Sequence, residues 1–155
     1  MQFQSRPPKT VAYLRGGTDN PGLFGIVKVY PQRRGTLVVA DVFGLPAKNP
    51  SDFFALHIHE GSSCTGTGFS ETGSHYDLSG SPYPQHAGDL PPLLSCQGKA
   101  HLAVLTDRFS VPEIIGRTVS FTTGRMISIP SRQGIRVPKS PAVSSSTCNR
   151  KSGAA

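Results

Sequence analysis

The sequence predicts an all-β fold, a Greek-key β-sandwich or flattened β-barrel. Three observations predict it. Seventeen glycines and fourteen prolines punctuate 155 residues that are 36% hydrophobic, a composition that suits short strands joined by turns. Apolar and β-branched residues gather in short runs bounded by Gly, Pro, Asn or Ser. No segment carries the periodicity of a long amphipathic helix. A chain of this length builds one core and one domain.

Thr10 to Arg15 reads as the first strand, ended by Gly16-Gly17, and Leu23 to Tyr30 as the second, ended by Pro31. Thr36 to Phe43 follows the turn Arg33-Arg34-Gly35, and Phe53 to His59 follows a Pro/Asn/Ser loop. Strands resume at Lys99 to Leu105 and at Ile114 to Val119. Between them, from Gly61 to Pro92, the chain is rich in Gly, Ser, Thr and Pro. A structureless stretch of about thirty residues needs something to order it. His75, His86 and Asp89 all lie inside it, so metal coordination would offset the entropy of fixing this long metal-binding loop.

His57 and His59 end the fourth run. On a strand, residues i and i+2 share a face about 6.5–7 Å apart, so both imidazoles can aim at one ion. Nitrogen donors in an open site favour copper or zinc, whereas a cysteine-rich set would point to structural zinc. An isolated His-x-His pair is more often incidental; the ligands downstream make the difference.

The net charge of +7 suggests an anionic partner until its distribution is examined. Residues 1–120 carry ten basic and nine acidic side chains, a net of +1. The remaining +6 comes from Arg125, Arg132, Arg136, Lys139, Arg150 and Lys151, with no acid among residues 121–155. That stretch lacks interleaved aromatics, which argues for a solvated tail and against a nucleic-acid partner. No run approaches the eighteen or so apolar residues of a membrane span, and Met1 to Pro8 has no apolar core of signal-peptide length, so a cytoplasmic location without membrane partners is the expectation. The organisation read here is a disordered arm at 1–9, a domain at 10–120 and a basic tail at 121–155. Three cysteines, Cys64, Cys96 and Cys148, match no zinc-ribbon spacing, and their connectivity is open.

His57-Ile58-His59-Glu60-Gly61, Gly73-Ser74-His75-Tyr76-Asp77, His86-Ala87-Gly88-Asp89-Leu90 and Ile114-Ile115-Gly116-Arg117-Thr118-Val119 stand in the order and rough spacing of copper/zinc superoxide dismutases, bacterial ones above all. From about Thr10 to Val119 the chain resembles that family. The resemblance implies that His57 and His59 are copper ligands, that His75 is the imidazolate shared by copper and zinc, and that His86 and Asp89 bind zinc. It implies superoxide as substrate, with copper alternately reduced and oxidised so that two superoxide and two protons give O2 and H2O2, and a homodimer as a frequent assembly. Cys64 resembles the cysteine that anchors the loop through a disulfide to one near the family's C-terminus. Glu60 and Asp77 are candidates for orienting the ligands or for plain turn roles. His101 matches no ligand position, and Gly116 reads as a backbone bend.

Two departures stand out. Tyr83 falls where the family has a third zinc histidine, and no histidine follows His101, although the family places its fourth copper ligand on the strand after Gly-Arg-Thr. Reverse-translating Phe121 to Gly134 one nucleotide out of frame permits His-Asp-Gly-Pro-Asp-Asp-Phe-His-Ser-Gln-Pro-Ala-Gly-Asn, close to the missing family segment. Codons for Phe121-Thr122 then allow only His or Tyr, and those for Met126-Ile127 only Asp. The same frame over Arg136 to Val143 permits Gly-Thr-Lys-Ile-Ala-Cys-Gly. A frameshift near Ser120 is therefore expected, and with it an enzyme impaired by loss of a copper ligand. The competing expectation is a non-catalytic copper- and zinc-binding β-domain.

Overall fold

Alternation along Gly35–Phe43 (β3) defines the inside of the molecule: Thr36, Val38, Ala40 and Val42 are buried while the residues between them are partly exposed. Thr10–Arg15 (β1) and Phe24–Gln32 (β2) add Ala12, Leu14, Val27 and Val29 to the same core. The computed structural model describes residues 7–17, 20–46, 52–123 and 143–147. Further strands are Phe53–Ile58 (β4), Leu93–Cys96 (β5), Lys99–Thr106 (β6), Val119–Thr123 (β7) and Val143–Thr147 (β8). Their spatial order is β1-β2-β3-β6-β5-β4-β7-β8, antiparallel throughout. The steps from β3 to β6 and from β4 to β7 are Greek-key connections, so the chain has the expected all-β barrel. Closure rests on one register pair, Arg15 with Ser146.

Ile114 to Val119, read above as a strand, is not one. Val111–Ile114 forms a single helical turn (α1), capped by Ser110 and Glu113 in a capping box with Pro112 in its first turn. Gly116, at φ +87°, then bends the backbone, and the strand begins only at Val119. Local capping overrode the β-branched content. Strand β5 was not anticipated because it is only four residues long; Gln97 and Gly98, both at positive φ, turn it directly into β6. Two strands reach into the stretch read as tail, since β7 runs to Thr123 and β8 pairs with it. The rest of that stretch, with Cys148 and most of the 1–9 arm, lies outside the described residues.

Strand β4 is buried on both faces. Phe54, Leu56 and Ile58 enter the core, with the Phe54 ring stacked on Phe121 of β7. The opposite face, carrying His57, is covered by the 59–92 loop. Three backbone bonds tie that loop to β4, Ile58 N–H to Gly88 O (2.9 Å), Tyr76 N–H to Ile58 O (2.8 Å) and Leu90 N–H to Leu56 O (3.2 Å), and Gly88 N–H to Tyr76 O (2.7 Å) joins its two limbs. A Cβ at position 88 would lie 2.3 Å from Ile58 O, so only glycine allows this approach.

Candidate metal centre

The covered face of β4 is where the predicted ligands meet. His57, His59 and His75 each present a ring nitrogen within 4.8 Å of the others, and His75, His86 and Asp89 form a second such group. Bridges pairing His57 with Asp89 and His59 with His75 set these distances from the backbone. Ligand atoms around one ion at bonds of about 2.0–2.2 Å lie no more than roughly 4.4 Å apart. Both groups are close in size to the ligand shell of a single ion. The His57 and His75 rings are stacked with centroids 4.0 Å apart, and His59 meets His75 edge-on at 4.9 Å.

Hydrogen bonds fix which nitrogen is free. His59 Nδ1–H donates to Gly73 O (2.9 Å), which leaves its Nε2 as the lone-pair atom. That atom accepts the Ser120 hydroxyl at 2.7 Å. His75 Nδ1 lies 2.7 Å from Asp89 Oδ1, so its other nitrogen is left for the first group. His86 Nδ1 is buried without a hydrogen-bond partner, although Asp89 Oδ2 lies 3.1 Å away. A buried imidazole nitrogen without a hydrogen-bond partner, facing a buried carboxylate oxygen, fits a shared cation, and the donor set suits zinc or copper.

Burial, and then the neighbouring His75, lower the His57 pKa to about 4. Burial also lowers that of His59, against the Gly73 bond that raises it. Both rings are therefore neutral at pH 7. Tyr83 enters the cluster where the sequence suggested, its ring centroid 6.3 Å from His57, 5.8 Å from His75 and 6.0 Å from His86. Burial and the Asp89 charge raise its pKa, so the phenol stays protonated and is a poor ligand.

The remaining candidates fall outside the cluster. His101 is exposed on β6 and pairs with Asp41 at 2.7 Å. Asp77 pins the loop, accepting from the Ser79 hydroxyl (2.9 Å) and the Ser81 and Ala87 amides (2.7 and 3.3 Å). Glu60 contributes its carbonyl to Arg117 Nη1–H at 2.9 Å. Cys64 is half-buried in the loop and Cys96 is exposed. Ser120 was missed as a site residue; only its register opposite His57 exposes it, and register is not written in local sequence.

The family model described as copper/zinc superoxide dismutase (SODC) matches residues 24–126. The extracellular superoxide dismutase (Cu-Zn) of Rattus norvegicus is 32% identical over 84 residues, covering 52% of this chain. The chain spans 34% of that relative's length. A solved Cu/Zn superoxide dismutase from Brucella abortus superposes with a TM-score of 0.65, covering 91% of this chain and 99% of its own, at 20% identity. At that identity the likeness is one of fold.

Proposed function

The chain belongs to the copper/zinc superoxide dismutase family, and from that premise we propose that it converts two superoxide and two protons into O2 and H2O2 at reduced turnover. The observation that carries this reading is the position of His75 between two ligand groups. In it, His57, His59 and His75 hold copper, and His75, His86 and Asp89 hold zinc. Copper there would supply a one-electron couple, and zinc a fixed positive charge. His57 contributes a neutral imidazole kept unprotonated by its burial, and Gly73 O fixes the orientation of His59. Asp89 lies against His75 Nδ1 and so sets that nitrogen towards the second group, and the other ring nitrogen would be the atom at which a proton can be taken up and released.

Reduced turnover follows from β7. Opposite His57 it presents Ser120 and no imidazole, and the Ser120 hydroxyl occupies the lone pair of His59. That observation also favours the second reading, a copper- and zinc-binding domain without turnover. Superoxide consumption by the copper-loaded protein separates the two: rates well above an equal concentration of free copper support the dismutase, and stoichiometric binding at background rates supports the binder. We also propose that the stretch after Ser120 is out-of-frame translation. The nucleotides across codons 117–125 test it, since a single frame with no family-like alternative would refute it.

A further inference from the structure

We propose that Arg108 is a positioning residue for the second ligand group, tying the His86–Asp89 turn to the barrel so that both ligands stay in reach of His75. The proposal rests on the metal reading above. A single nitrogen, Arg108 Nη1, donates to His86 O at 3.3 Å and to Asp89 O at 3.2 Å. These are the carbonyls of the two residues that the loop, as distinct from β4, adds to the cluster together with His75. Both bonds are charge-assisted, from a guanidinium that stays protonated at any working pH.

The barrel end of this strut is fixed. Thr36 Oγ1 donates to Phe109 O at 2.9 Å in a buried bond, Phe109 itself is in the core, and Arg108 N–H donates to Thr106 Oγ1 at 3.2 Å. The loop end is held at Gly88 and Leu90, through Gly88 N–H to Tyr76 O (2.7 Å), Ile58 N–H to Gly88 O (2.9 Å) and Leu90 N–H to Leu56 O (3.2 Å), and Arg108 adds a tie at the carbonyls of His86 and Asp89 themselves. Within the turn, His86 N–H meets Asp89 Oδ2 (3.0 Å) and Asp89 N–H meets His86 O (3.1 Å), bonds that move with the turn as a unit. An exposed arginine is ordinarily a solvated charge worth little to its surroundings. Here it spans 22 and 19 residues of sequence to reach the backbone of two adjacent ligands, and His86 Nδ1, the orphaned atom, sits on that same turn.

The test uses the full chain with Co(II) alone as probe, its visible absorption reporting the second group, and amide hydrogen exchange of the metal-free protein at Gly88 and Asp89. Arg108→Gln is expected to weaken Co(II) binding by about 10- to 100-fold, with altered band positions. Cu(II) affinity at the first group should change less than about threefold, and exchange at both amides should quicken by about tenfold. Arg108→Lys should recover part of each loss, and it replaces Arg108→Gln if the latter fails to fold. Wild-type Co(II) affinity in Arg108→Gln overturns the proposal whatever the exchange rates show. Asp89→Asn binding Co(II) as tightly as wild type would instead overturn the metal reading, leaving the exchange rates to show whether Arg108 holds the turn.

Discussion

The two candidate ligand groups share His75 but are built by different means. His57 and His59 lie at the end of a strand whose other face is packed into the core through Phe54, Leu56 and Ile58, so their spacing is a by-product of barrel folding. His86 and Asp89 sit on a loop without regular strands, held by Asp77, Arg108 and the backbone bonds at Gly88. A ligand pair on a strand inherits the stability of the sheet. A pair on a loop owes its geometry to a few hydrogen bonds and to whatever ion it binds, so it is the half that metal removal should loosen.

The strongest way to break this contrast is to delete a ligand from each side. His57→Ala should abolish tight Cu(II) binding, a loss above about 100-fold by calorimetry, while the fold persists because the ring lies outside the apolar core. Asp89→Asn should weaken the second group by about 10- to 100-fold and make exchange in the loop insensitive to added metal. If either substitution damaged both groups equally, the two halves would not be separable.

Next in size is a pH effect confined to the strand side. The pKa of His57 is about 4 in the fold, against 6.5 for an unperturbed ring, so the unfolded chain binds the proton more readily. Metal-free stability should be complete above pH 6.5 and should fall as the pH drops towards 4, by up to about 3 kcal/mol. His59 acts in the same direction. Urea unfolding of the wild type and His57→Gln at pH 7 and pH 4.5 measures it: the slope should flatten in the variant, and equal pH dependence would contradict the assigned burial. The smallest effect is at Ser120. Removing the hydroxyl that occupies His59 Nε2 should tighten Cu(II) at the first group by about two- to fivefold in Ser120→Ala, and weaker binding would mean that the hydroxyl assists the metal.

The same contrast governs how much could be read from the sequence. The meeting of His57 and His59 was legible because an i, i+2 pair fixes its own geometry, and that of His75, His86 and Asp89 because motif order places them together. Strands β1 to β3 and β6 were legible from apolar runs between turn residues. The Ile114 to Val119 segment misled because a helical turn capped by Ser110 and Glu113 takes the chain up to Ile114, and Gly116, at φ +87°, bends it before the strand starts at Val119. Ser120 and Arg108 were illegible: each acts through partners tens of residues away, brought together only by register and loop packing.

The most direct measurement is paired binding of Cu(II) and Zn(II) to the wild type and to His75→Ala. Shared ligation predicts one equivalent of each ion in the wild type and a loss of at least about tenfold in the affinity for both ions from this one substitution. Full retention of either affinity would show that His75 does not join the two groups.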